Sequence, residues 1–236
     1  MMPMVNILEI SNLTIKDSAG VSLVQHLDLA LRKSKVNVLV GESGSGKTTL
    51  AHIMLGLLKN YQGDYSTNGL SMLPIFQHAY NSFNPKFKIK TSLEEPIRYY
   101  KNIQSETVRE RLEKLMKYMQ LDEKLLERFP DELSGGQLQR FNTIRTLMLE
   151  PDMLVCDEIT ASLNVIAEQR MIKVLKAYYE QTNKGMLMIS HDIVFLNQFV
   201  DRIIVMKEGE ILDDFKIEQL FNEERHQYTK QLLSIY

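Results

Sequence analysis

The chain has a single cysteine, so no internal disulfide can form, and a reducing compartment is expected. Cys156 falls in an apolar run and reads as a small buried hydrophobe rather than a reactive thiol. No window reaches the roughly 18 consecutive apolar residues that a membrane-spanning helix needs, so the chain is not expected to cross a bilayer itself. The first residues lack the basic start and long apolar core of a secretory leader. There is no dense run of Lys and Arg, and the formal net charge is −2, so no nucleic-acid partner is expected. Neither an internal repeat nor a low-complexity linker is visible. What remains is a 236-residue chain, 44% apolar and 25% charged, enough for one large domain or two lobes sharing a core.

Periodicity divides it further. Residues 7–15 and 21–31 alternate like strands around a turn at Asp17, Ser18, Ala19 and Gly20. A short apolar strand, 36–40, runs into a glycine-rich loop. Leu50, Ile53, Met54, Leu57 and Leu58 then recur at helical spacing. A turn-rich stretch covers 60–69. Val108, Leu112, Leu115, Met116 and Met119 mark a helix in the middle third, their methionines reading as core filler. Strands are predicted at 153–156 and 186–189, a helix at 165–179, a hairpin around Lys207, Glu208 and Gly209, and a helical tail over 217–236. Strands alternating with helices imply an α/β fold with a mostly parallel sheet covered on both faces, interrupted by a helical lobe at about 78–150.

Gly41, Glu42, Ser43, Gly44, Ser45, Gly46, Lys47 and Thr48 form a phosphate-loop pattern between a predicted strand and a predicted helix, with Thr49 following. Glycines let backbone N–H groups converge on phosphate oxygens, and the helix adds its positive end. Lys47 brings a fixed charge to the β- and γ-phosphates, and Thr48 a hydroxyl for magnesium. The strand at 153–156 ends in two carboxylates. In that company, Asp157 would hold magnesium and Glu158 would activate the attacking water. Ser134, Gly135, Gly136 and Gln137 make a second helix start suited to an anion, with Ser134 as its cap. One chain needs only one phosphate loop. This second start therefore calls for a phosphate held by another subunit, as a two-fold dimer would supply.

With Gln77 and His191 added, these motifs stand in the order found in ABC transporter nucleotide-binding subunits, which the chain resembles over nearly its whole length. The resemblance implies a phosphate-loop NTPase (RecA-like) core, a small antiparallel β-lobe and an inserted helical lobe, together one nucleotide-binding domain over 1–236. It implies ATP hydrolysis with Mg2+, Gln77 sensing the γ-phosphate and magnesium, and His191 bonding the γ-phosphate. Phe76 and Gln77 followed by Asn81, Ser82, Phe83, Asn84 and Pro85 resemble the peptide and nickel importers, as does the tail from His226 to Leu233. The wording around Leu73 to His78 and Cys156 to Thr160 is most similar to importers of nickel, cobalt or metal–metallophore complexes. Oligopeptide and dipeptide importer ATPases are the alternative, and a DNA-associated ABC-type ATPase is disfavoured because no long heptad stretch is present.

For such an importer the resemblance implies a paralogous ATPase partner, two membrane permease subunits and an extracytoplasmic solute-binding protein. The chain would sit at the cytoplasmic face of the membrane, held there only by the permeases. Three departures stand out. Ile159 replaces the usual proline after the base, and Asn164 the usual aspartate. No Tyr or Phe lies between residues 7 and 40 to stack on adenine.

Overall fold

A computed structural model of the chain describes residues 6–32, 34–99, 105–160, 163, 165–190 and 199–234. In chain order its elements are β1 (Asn6–Lys16), β2 (Ser22–Arg32), β3 (Val36–Val40), α1 (Lys47–Met54), β4 (Gln62–Ser66) and β5 (Met72–Ile75). Next come α2 (Ile89–Tyr99), α3 (Ser105–Tyr118), α4 (Gly135–Leu147), β6 (Met153–Asp157) and α5 (Val165–Thr182). β7 (Gly185–Ile189), β8 (Arg202–Lys207), β9 (Glu210–Lys216) and α6 (Gln227–Leu233) complete it. Among the described residues no helix is long and apolar enough to cross a membrane.

The first compact unit comprises Met1–Pro74, Asp152–Glu158 and Asn183–Tyr236. It carries a sheet of order β5-β6-β7-β3-β8-β9 and a three-stranded sheet of order β2-β1-β4. β3 runs parallel to both β7 and β8, β6 runs parallel to β7, and β9 returns antiparallel along β8. Both β3 and β7 are buried at every position, which is why neither alternates: β7 is apolar throughout, and β3 is apolar except for Asn37, whose buried amide donates to the Met186 carbonyl (3.4 Å). The outer hairpin does alternate: Leu27, Leu29 and Leu31 turn inward, against Leu50, Ile53 and Met54 of α1 and Ile204 and Met206 of β8. Asp17 closes its turn by accepting the N–H groups of Ala19 (2.8 Å) and Val21 (2.9 Å). Cys156 is 1% exposed, and burial pushes its thiol up to about 12, as expected for an inert core residue.

The second unit comprises Ile75–Pro151 and Ile159–Thr182. Its centre is α4, buried from Leu138 to Leu147 on most sides. Burial of Phe141 alone is worth about 1.5–3 kcal/mol. The buried amides of α4 have work to do, since Gln139 and Asn142 both donate to the Phe76 carbonyl (3.2 and 3.4 Å). Arg145 donates to the Ser82 carbonyl and lies over the Phe83 ring.

Three elements differ from the sequence reading. α1 stops at Met54, because Gly56 N–H returns to Ile53 O and Leu57 N–H to His52 O; Leu57 and Leu58 are left exposed. The turn-rich stretch contains β4, an edge strand of mostly polar residues that pairs with β1 by its backbone. Among the described residues the tail is helical only at Ile217–Gln219 and in α6, with turns between them fastened by Asn222.

Candidate active site

The loop between β3 and α1 is shaped by what surrounds it. A methyl group on Gly41 would lie 2.0 Å from the Met206 carbonyl oxygen of β8, so no other residue fits without moving the sheet. Gly46 has φ 101° and would bring a Cβ within 2.7 Å of the Leu23 carbonyl oxygen of β2. The loop therefore nests against two strands of its own unit. Ser45 N–H bonds Glu42 O (3.2 Å), and Gly209 N–H bonds Ser45 O (3.1 Å).

Lys47 opens α1 and is buried, 5% exposed. Its ammonium donates to Gly41 O (2.8 Å), Glu42 O (2.6 Å) and Ser45 Oγ (3.2 Å), filling the concavity that the loop makes. Burial lowers its pKa, while the carboxylates of Glu158, Asp157 and Glu42 pull it back up. Thr48 Oγ1 lies 3.4 Å from Asp157 Oδ1, joining the start of α1 to the end of β6. Burial raises the Asp157 carboxyl, with Glu158 adding to the rise, against the Thr48 bond, His52 and Lys47. A hydroxyl beside the buried Asp157 carboxylate, with a second carboxylate next in the chain, fits a divalent cation. Glu158 has the left-handed φ of 45° and donates its N–H to Ile189 O of β7 (3.0 Å), so the chain leaves the sheet sharply at this carboxylate. Gly41, Glu42, Ser43, Gly44, Ser45, Gly46, Lys47, Thr48, Thr49, Asp157 and Glu158 are thus all carried by the first unit.

Gln77 and Ser134 to Gln137 belong to the second unit. Gln77 follows β5, half-buried, directly after the Phe76 carbonyl that α4 holds. α4 begins at Gly135, one residue earlier than the sequence suggests. Ser134 Oγ accepts Gln137 N–H (3.3 Å), and Gln137 Oε1 accepts Ser134 N–H (2.9 Å). That capping box turns Ser134 and Gln137 toward their own backbone. A Cβ at Gly135 or Gly136 would meet nothing within 4 Å among the described residues. His191 and Asn164 lie outside the described residues.

Sequence reasoning gave no role to one residue that touches the loop. Tyr228 of α6 accepts the Glu42 N–H at 3.1 Å through its hydroxyl. Only its place in the importer-like tail marked it, and nothing in the spacing pointed to the loop. The missing aromatic is matched by aliphatic surface: Leu23, beside Gly46, is 36% exposed, and Val21 is 60% exposed.

Residues 24–161 match the family model described as ABC transporter. The nickel import system ATP-binding protein NikE of Staphylococcus aureus (strain USA300) is 42% identical over 232 residues, 97% of this chain and 99% of that protein. Its counterpart from strain bovine RF122 / ET3-1 is 41% identical over the same shares. Among solved structures, cbiO1 from Clostridium perfringens, part of the ABC transporter complex cbiONQ, has a similar fold. Its TM-score is 0.78 at 22% identity, over 93% of this chain and 92% of that one. The ATP-binding cassette MJ0796, in a dimeric post-hydrolysis state bound to ADP and Pi, gives 0.78 at 26% identity over 89% and 98%. The chain belongs to the ABC transporter family and is an ATP-hydrolysing member of it.

Proposed function

We infer that this chain is the ATPase subunit of a nickel importer, one nucleotide-binding domain over its whole length, working at the cytoplasmic face of a membrane. The observation that carries the catalytic half is the gathering of Lys47, Thr48, Asp157 and Glu158 where β3 and β6 end. The solute follows from the 42% identity to NikE, a nickel import protein, over nearly both chains.

In this reading Lys47 leaves the loop carbonyls and binds the β- and γ-phosphates of ATP, while the backbone N–H groups of residues 43–48 take the remaining oxygens. Thr48 and Asp157 would hold Mg2+, which neutralises phosphate charge. Glu158 accepts the proton of the attacking water, which suits a carboxylate close to Lys47 at the end of β6. Gln77 and His191 contact the γ-phosphate.

The signature residues Ser134 to Gln137 serve a second copy of the fold. Gly135 and Gly136 have neither a left-handed φ nor a near neighbour, so nothing described in this chain requires them to be glycine. Bare glycines at a helix start leave room for a nucleotide held by another subunit. The partners are a paralogous ATPase, two permeases and a solute-binding protein. Exposed Tyr80 and Phe87, close in sequence to Gln77, offer apolar surface for a permease.

The test is radioactive nickel uptake in cells that lack the chain, complemented with wild type or with Glu158→Gln. Uptake restored by wild type alone is expected. Uptake that survives deletion of the chain, with its paralogue also removed, contradicts the reading.

A further inference from the structure

The tail from His226 to Leu233 is left idle by the catalytic account, yet side-chain bonds build it into the first unit. Asp213 of β9 fastens it three ways. It pairs with Arg225 at 3.0 Å, both side chains being 12% exposed, and accepts from His226 N–H and from Thr229 Oγ1, each at 3.0 Å. Arg225 also lies 4.4 Å from the centre of the Phe215 ring. So fastened, α6 presents Tyr228, 6% exposed, with the Lys207 ammonium 4.9 Å from its ring centre and its hydroxyl 3.1 Å from Glu42 N.

Glu42 is held at both ends. Its N–H goes to Tyr228, and its carbonyl takes Lys47 Nζ (2.6 Å) and Ser45 N–H (3.2 Å). When a phosphate draws Lys47 away, the carbonyl keeps only Ser45. Among the described residues the Tyr228 bond is then the one tie from outside the loop to the Glu42 backbone. Gly41, one residue before, is already pressed against Met206, the neighbour of Lys207. β8 and α6 together therefore set the base of the loop.

We propose that Tyr228 is a positioning residue for the phosphate loop: its hydroxyl holds Glu42 in the nucleotide-binding conformation while Lys47 transfers to phosphate. The proposal rests on the reading of residues 41–48 as the ATP site. Its effect falls on nucleotide affinity and not on the chemical step.

Tyr228→Phe keeps the ring, its burial and its contact with Lys207, and removes only the hydroxyl. With the full chain, displacement of a fluorescent ATP analogue by Mg-ATP should show Kd raised about three- to tenfold, the range of one neutral hydrogen bond. Tm should stay within about 2 °C. In the assembled transporter KM for ATP should rise by the same factor, with kcat within about twofold. Thr229→Val removes one of the three bonds to Asp213 and leaves Arg225 and the His226 N–H to hold α6 in place; it should lower Tm and leave Kd within about twofold. Lys47→Ala separates the two claims. If Lys47→Ala loses ATP while Tyr228→Phe binds as wild type does, the Tyr228 proposal alone is overturned. If Lys47→Ala binds ATP normally, the ATP reading of the loop fails, and the proposal with it. Equal rises in Kd for Tyr228→Phe and Thr229→Val would make the effect general loosening and overturn the proposal.

Discussion

At the start of α1, a methyl group on Gly41 or Gly46 would run into backbone, 2.0 Å from Met206 O and 2.7 Å from Leu23 O. At the start of α4, a methyl group on Gly135 or Gly136 would meet nothing within 4 Å among the described residues. The first pair of glycines is required by the chain's own fold. The second pair is not, and both positions would be more helical as alanine. A site whose constraints are all internal is finished when the chain folds. One whose smallness serves nothing inside the chain is finished by something else.

The largest effect expected belongs to the finished site. Glu158→Gln keeps shape and removes the carboxylate proposed as the base, so hydrolysis should fall by about 100- to 10,000-fold while ATP binding persists. Phosphate release and nucleotide binding measured side by side check this. Equal turnover in mutant and wild type would remove Glu158 from the role.

The paired substitutions Gly41→Ala and Gly135→Ala sharpen the comparison directly. Gly41→Ala should cost more than about 2 kcal/mol of stability, since backbone must move. That corresponds to a fall in Tm of about 4–8 °C, with loss of ATP binding. Gly135→Ala should leave the Tm of the single chain unchanged or raise stability by up to about 1 kcal/mol. Its cost should appear only in the assembled transporter, as an ATPase rate lowered at least about tenfold, or 1.4 kcal/mol. Thermal melts of the single chains and rates of the assembly read the two halves separately. A Gly135→Ala chain that melts early would erase the contrast.

The smallest effect concerns the base. With aliphatic Leu23 beside Gly46 and no Tyr or Phe between residues 7 and 40 to stack on adenine, phosphate contacts are expected to dominate affinity. GTP should compete with ATP within about tenfold, 1.4 kcal/mol. A preference for ATP of about a hundredfold or more would mean that another residue replaces the stack.

Much of this was legible in the sequence because it depends on local spacing. Lys47 and Thr48 follow a strand and open a helix, and Asp157 and Glu158 end an apolar strand; neighbours in the chain fix both patterns. What was not legible depends on long-range contact. β4 is polar and paired only through its backbone to β1, so no side-chain period announced it. The ending of α1 at Met54 was hidden by Leu57 and Leu58, which continue the helical period but point to solvent. Tyr228 is separated from Glu42 by 186 residues, and no spacing rule connects a tail helix to a loop near the start. The capping box of Ser134 and Gln137 was half visible: the serine cap was expected, but the return bond from Gln137 was not.

The central claim is that one chain supplies a complete phosphate site and an incomplete signature site. The decisive measurement is ATPase rate per chain against chain concentration, for this protein alone and then with the proposed paralogue and permeases. The dilute single chain should show low activity, a rise with concentration only as far as self-pairing allows, and a severalfold increase in the full assembly. A dilute single chain that already turns over at the full rate, unchanged by the paralogue, would contradict it.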